Sequence, residues 1–169
     1  MPHTATFSED VKDRDRARYL ATLFAPEAKR GALFVLHAFD LEMQRIPLLV
    51  KEPAMGEIRL QWWQEVLEGA RAGEASGHPL ASAMLDLIER HALPQSAFER
   101  YFDASSFAFY HDAFADRSAL ESWAGATCSS IIQMSAIILD PDAAKHSADA
   151  SGHAGVAIAV SNIVRNMLR

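Results

Sequence analysis

Cysteine is almost absent from this chain of 169 residues, in which Cys128 is the only one. A single cysteine excludes an intramolecular disulfide and is typical of a reducing compartment. Cys128 lies in the apolar segment Cys128–Ile132, so we expect a buried, inert thiol rather than a reactive one.

The chain also lacks a basic excess, a signal peptide and a long apolar run. Its net charge of −6 argues against nucleic-acid binding, although a local cluster could still bind a small phosphorylated molecule. Residues 1–12 are polar and acidic, unlike a secretory signal. The longest apolar run, Ile131–Leu139, is interrupted by Gln133 and Ser135 and is shorter than the roughly 20 residues that span a bilayer. We therefore expect a cytoplasmic protein without a transmembrane segment, and a peripheral membrane association is compatible with this pattern.

Sustained period-two alternation, the signature of strands, is absent as well, while apolar residues recur at three and four residue steps. This pattern predicts an all-α fold in one domain, residues 1–169. Pro47 and Pro53 should end or kink the second helix, and Pro53–Gly56 should form a turn. The predicted helices are Asp13–Phe24, one from Glu27 toward Pro47, Glu57–Ala72, Pro79–His91, Gln95–His111, Ser118–Leu139 and Ser151–Arg169.

The final segment, Gly155–Arg169, combines an apolar repeat with three polar residues. Asn162, Arg165 and Asn166 stand at i, i+3 and i+4, which places them on one helical face. The apolar face of the same helix is extensive for the number of helices predicted. We therefore expect that the chain represents only part of a larger α-helical domain.

Three segments carry a resemblance to a known family. They are Phe24–Phe39, Arg59–Leu67, and Trp123–Ser130 followed by Gly155–Asn166. Each is similar to a segment of the squalene and phytoene synthase family, in the family's order. The resemblance implies an isoprenoid-synthase-type helical bundle, of which this chain matches the N-terminal part, and a family chemistry of head-to-head prenyl transfer.

In that family, two DxxxD motifs hold Mg²⁺ against a prenyl diphosphate, because a hard cation selects carboxylate oxygens. Aligned on the resemblance, the acidic positions of the first motif fall on Gln44, Arg45 and Leu48, and the leading aspartate of the second falls on Asn166. Asp40 shares a face with Gln44 but supplies only one carboxylate. We therefore predict no catalytic residue, with Gln44, Leu48 and Asn166 as degenerate positions, and no cofactor.

The remaining family positions predict where a ligand would bind. The family's tyrosine falls on His37, whereas Asn162 and Arg165 match the family's second signature. The resemblance therefore implies a substrate-binding or ligand-binding set, which comprises His37, Asn162, Arg165 and Asn166.

In its non-acidic motif positions, the chain resembles a branch of the family that lacks the acidic motifs. This branch includes a mitochondrial assembly factor of respiratory complex I. Phe39–Met43 and Pro53–Trp63 carry this second resemblance. It implies a non-catalytic protein that binds an isoprenoid or other lipid-like ligand, or that assists assembly through contacts with respiratory-complex subunits. The alternative is an active head-to-head prenyltransferase that uses Mg²⁺ and prenyl diphosphates.

One further pair has literal DxxxD spacing, Asp112 and Asp116. If helical, these carboxylates could hold a cation. However, Asp116 precedes the helix predicted from Ser118, and aspartate is common as an N-cap. The position therefore favours capping over metal binding.

Overall fold

The computed structural model describes the backbone of residues 3–110 and 112–167, and the side chains of residues 6–71, 73–110 and 112–165. This part of the chain contains helices and connecting turns and no strand, which confirms the all-α prediction. The chain divides into two compact units, residues 1–95 and 96–169. The expectation of a single domain stays a prediction.

The first unit is organised around one long helix. Its helices are α1 (His3–Arg14), α2 (Arg16–Leu23), α3 (Glu27–Leu49), α4 (Pro53–Leu67), α5 (Ala72–Ala75) and α6 (Pro79–His91). Helix α3 packs against α1, α2, α4 and α6. Every residue from Leu33 to Leu41 is buried, so this stretch is enclosed on all sides, as expected for a central helix.

The two prolines near the end of α3 act differently from the prediction. Pro47 lies inside α3, which continues to Leu49, and Pro53 opens α4 instead of forming a turn with Gly56. A proline in the last turn disturbs only one turn of backbone hydrogen bonds, so the helix can end just beyond it. At the first helical position the missing N–H has no intrahelical partner in any case, which makes proline favourable there.

The predicted helix Asp13–Phe24 is in fact two helices, because Asp15 interrupts it. Asp15 leaves the helical conformation and its Oδ1 accepts a hydrogen bond from the backbone N–H of Arg18 at 3.0 Å. This is an N-cap, which satisfies one of the donors at the start of α2. The sequence contained a signal for this break, because aspartate is among the preferred N-cap residues.

The tryptophan pair on α4 divides between core and surface. Trp63 is buried and meets the Phe39 ring edge-on, with ring centroids 5.5 Å apart. The indole Nε1 of Trp62 donates to Glu74 Oε2 at 2.9 Å. Residues one apart on a helix point about 100° apart, so only one of the two can face α3.

The second unit contains α7 (Gln95–Ser105), a 3₁₀ turn (Ser106–Phe109), α8 (Arg117–Ala124), a π-helical turn (Gly125–Ser129), α9 (Ser130–Leu139), α10 (Pro141–Ala144) and α11 (Ala148–Met167). Asp116 Oδ1 accepts from the backbone N–H of Ala119 at 2.8 Å, which confirms Asp116 as the N-cap of α8. Asp112 lies outside any helix. The pair therefore does not present two carboxylates on one helical face.

Helices α8 and α9 continue through the π-helical turn as one helix, Arg117–Leu139. By length and composition alone, this helix would suffice to cross a bilayer. The criterion is weak, since a core helix of a soluble protein meets it too.

Helix α11 approaches the π-helical turn closely at Gly155. A Cβ on Gly155 would lie 2.1 Å from Ser129 Oγ, 2.4 Å from Ser129 N and 2.5 Å from Ser129 Cα. Ser129 Oγ also donates to the Gly152 carbonyl at 3.1 Å. Beside this contact, Ala159 packs with Ala124 and Cys128 in a small buried cluster, and the Cys128 thiol is buried as predicted. The glycine that opens the final segment is therefore required by packing.

We predict that Gly155→Ala destabilises the protein by about 1–3 kcal/mol, because the methyl group would overlap the Ser129 backbone. Gly152→Ala is the matched control. A Cβ there meets nothing within 4 Å, so the better helix propensity of alanine should stabilise the protein by about 0.5–1 kcal/mol. Urea unfolding followed by circular dichroism measures both changes. Equal effects of the two substitutions would contradict the close packing of α11 on Ser129.

Candidate functional site

One face of α3 carries Gln44 and Leu48, two of the positions that the resemblance aligned with the first acidic motif. His37, Asp40 and Gln44 follow one another at three and four residue steps, and Leu48 continues the face one turn later. His37 and Asp40 are buried, with 9% and 2% of their surface exposed. Leu48, by contrast, is 83% exposed. The face therefore runs from a buried polar end to an exposed apolar end.

Asp40 forms the centre of a polar cluster that joins α3 to α2. Its Oδ2 accepts hydrogen bonds from Arg18 Nη1 and from Gln44 Nε2, the latter at 2.7 Å. Arg18 in turn places its Nε 3.3 Å from Asp15 Oδ2. The Arg18 side chain is 17% exposed and that of Asp40 only 3%, so the Arg18–Asp40 pair is largely removed from water. We call Asp15, Arg18, Asp40 and Gln44 the Arg18 cluster.

His37 lies beside this cluster in a second buried contact. Its Nδ1 is 3.3 Å from Thr22 Oγ1, and the Thr22 hydroxyl donates to the Arg18 carbonyl at 2.8 Å. Because the Thr22 proton is already used, its oxygen is left to accept a hydrogen bond. The arrangement therefore assigns the proton of the neutral imidazole to Nδ1.

The environment of His37 opposes its protonation. Burial, and secondarily the charge of Arg18, lower its pKa from 6.5 to about 4, against the opposing influence of Asp40 and Asp15. Desolvation disfavours the charged imidazolium, which is why burial has this sign. At neutral pH the ring is uncharged, so it would act as a hydrogen-bonding group rather than as a cation toward a ligand.

The α3 residues do not fit the Mg²⁺ that the family's chemistry requires. The Gln44 amide is engaged with Asp40, Leu48 offers no donor atom, and Arg45 is a cation 3.9 Å from Glu42. The carboxylate of Asp40 is already paired with Arg18. Within the described side chains, no group of three or more His, Cys, Asp and Glu residues is arranged to hold a metal ion. The expectation that the protein needs no cofactor stays a prediction.

The residues predicted for a second ligand-binding segment lie on α11, in the second unit. Asn162 is half-buried and Arg165 is exposed. Asn166 belongs to the helix, but its side chain lies outside the described residues. On α3, Gln44 belongs to the Arg18 cluster and His37 contacts Thr22 beside it, whereas Asn162 and Arg165 lie one turn apart on α11. Their role in binding a ligand stays a prediction.

Sequence reasoning missed the α2 half of this site. Asp15, Arg18 and Thr22 stand at i, i+3 and i+7, so they share one face of α2. A polar face on a short helix, next in sequence to the apolar helix α3, indicates a polar contact between the two helices. It does not reveal its partner, because Asp40 lies 22 residues further along the chain.

We predict that His37 makes the stability of the protein depend on pH below neutrality. Above pH 6.5 His37 is neutral in both the folded and the unfolded state. As the pH falls from 6.5 toward 4, only the unfolded state gains the proton, so the free energy of unfolding decreases. Between pH 7 and pH 5, protonation of this group should lower the free energy of unfolding by roughly 2 kcal/mol.

The measurement is urea unfolding at both pH values for the wild type, His37→Gln and His146→Gln. His37→Gln should lose less stability on acidification than the wild type. His146→Gln removes an exposed histidine and should behave like the wild type. The same pH dependence in all three proteins would contradict the buried neutral imidazole.

Comparison with known proteins gives relatives of one kind. Human, bovine and rat proteins named NADH dehydrogenase (ubiquinone) complex I, assembly factor 6 are 26%, 26% and 25% identical to this chain over 157 residues. The aligned region covers 93% of this chain and 47% of each relative. The chain therefore spans about half the length of the curated relatives it matches. No solved structure matches the chain.

A sequence profile of the squalene/phytoene synthase family matches residues 11–168, nearly the whole chain. The match includes α3 and the Gly155 packing segment of α11. It confirms the resemblance drawn from the three sequence segments and, with the all-α architecture, the expected fold type. The chain belongs to the squalene/phytoene synthase family.

Proposed function

We propose that this protein is a non-catalytic member of its family and assists the assembly of a respiratory NADH dehydrogenase. The observation that carries the proposal is the Arg18 cluster. Where the family resemblance calls for carboxylates around Mg²⁺, α3 presents a glutamine bound to Asp40, an arginine and an exposed leucine.

The chemistry of the family explains why these substitutions oppose catalysis. Release of pyrophosphate from a prenyl diphosphate creates negative charge, which divalent cations neutralise. Mg²⁺ takes oxygen ligands and is usually bound through carboxylates. The one buried carboxylate on this face, Asp40, already has its charge balanced by Arg18. Asp15, the other carboxylate of the cluster, also contacts the Arg18 guanidinium, so both carboxylates already have a cationic partner.

The relatives support the assembly role. Their names describe assembly factors of NADH dehydrogenase, and the region they share covers 93% of this chain. Respiratory-complex subunits are accordingly the proposed partners. We further propose a cytoplasmic protein in peripheral contact with the membrane, and a binding role for His37, Asn162, Arg165 and Asn166 toward an isoprenoid or other lipid-like ligand.

We predict that the purified protein releases no pyrophosphate from farnesyl or geranylgeranyl diphosphate in the presence of Mg²⁺. An enzyme-coupled phosphate assay measures the release, and an active squalene synthase is the positive control. Asn162→Ala is the matched variant and should give the same background signal as the wild type. Turnover by the wild type that is lost in Asn162→Ala would overturn the non-catalytic proposal.

The assembly role has its own prediction. Deleting the gene in its native host should reduce fully assembled NADH dehydrogenase several-fold, measured by native gel electrophoresis and by NADH oxidation in isolated membranes. Reintroducing the wild type or Gly152→Ala should restore the complex, because both preserve the fold. Normal levels of the complex in the deletion strain would contradict the proposed role.

A further inference from the structure

Acidic and amide side chains surround the guanidinium of Arg18. Its guanidinium contacts two carboxylates, Asp15 and Asp40, that come from different helices. Gln44 donates its amide N–H to the same Asp40 oxygen that Arg18 contacts. Two carboxylates and an amide around a single positive charge resemble the ligand set of a hard metal ion in composition.

The charge of the buried Asp40 carboxylate needs a partner inside the protein. An ionised carboxylate that is 97% removed from water is costly unless it is paired and hydrogen-bonded. Arginine is suited to this task because it stays protonated at any pH at which the protein is folded. Arg18 therefore supplies permanently the charge that a divalent cation would supply only when bound.

The other basic residue on this part of α3 does not take that role. Arg45 has a side chain that is 53% exposed, and its nearest acidic oxygen belongs to Glu42 at 3.9 Å, on the same helix. Such an exposed pair contributes little to stability. The positive charge next to Asp40 comes from α2.

We propose that Arg18 is a built-in counter-ion for the buried carboxylate of Asp40, one turn before the aligned motif position Gln44, so that the Arg18 cluster holds its charge without a divalent cation. The pairing also ties α2 to α3, since the charge is carried by a side chain instead of a diffusible ion. This inference concerns the charge of the cluster and does not depend on which complex the protein serves.

The proposal predicts what happens when Arg18 is removed. Arg18→Gln leaves Asp15 and Asp40 without their common counter-charge, and breaking such a pair should lower Tm by roughly 10 °C. The carboxylate charge that has lost Arg18 should then attract a divalent cation. Added MnCl₂ or MgCl₂ should raise the Tm of this variant by roughly 4 °C at about ten times the dissociation constant. The wild type should show no such shift.

Three further variants make the test specific. Arg18→Gln/Asp40→Asn lacks the buried carboxylate and should not respond to metal. Arg18→Lys keeps one positive charge, so it should be more stable than Arg18→Gln and should not respond either. Arg16→Gln removes an exposed arginine on the same helix and should match the wild type.

The readouts are thermal unfolding by circular dichroism and the loss of the free Mn²⁺ signal in electron paramagnetic resonance. Should Arg18→Gln be unfolded without metal, recovery of helical signal on adding MnCl₂ is the supporting result. Stoichiometric Mn²⁺ binding to the wild type that disappears in Asp40→Asn would overturn the proposal. So would an Arg18→Gln variant that no metal concentration stabilises. Neither readout measures prenyl transfer or complex assembly, so this inference and the proposed function can fail separately.

Discussion

The enclosure of α3 is the constraint on which the first unit depends. From Leu33 to Leu41 the helix has neighbours on every side, so each polar group in this stretch must find a partner inside the protein. Two such groups occur, His37 and Asp40, and both are satisfied by α2. This requirement explains why a helix of only eight residues, α2, carries an N-cap, a guanidinium and a hydroxyl on one face. Packing of apolar residues brings the helices together, and the polar contacts set which face of α2 meets α3.

Membership in the family implies a metal-dependent prenyl transfer, whereas the polar contacts on α3 do not fit a metal site. The profile match and the glycine contact of α11 identify an inherited helical scaffold. The α3 face meanwhile carries an internal ion pair, Arg18–Asp40. The proposed non-catalytic role agrees with relatives whose names describe assembly. The function proposed above therefore depends on surfaces and stability more than on a reactive centre.

The sequence predicted the helical class and several helix bounds, and its errors have clear causes. Pro79 opens α6 and the helix ends at His91, as predicted, because a proline start and a turn at Pro94 bracket the segment. Pro53 was assigned to a turn although it opens α4, since proline punctuates a chain in both settings and only tertiary contacts decide between them. The alignment of Gln44 and Leu48 with the family's acidic positions stays a prediction. The contact of Asp40 with Arg18 could not be predicted, because a contact across 22 residues leaves no periodic trace in the sequence.

The contact between Gly155 and Ser129 has a consequence for the register of α11. Residues one helical turn away on the same face, Ser151 and Ala159, are also buried and each carries a Cβ. If α11 slid by one turn along the helix it packs on, one of these side chains would have to enter a space that has room only for a hydrogen atom. The contact therefore fixes the axial register of α11 on the helix against which it packs. Asn162 and Arg165 are consequently held at a fixed height above the π-helical turn, whatever they bind.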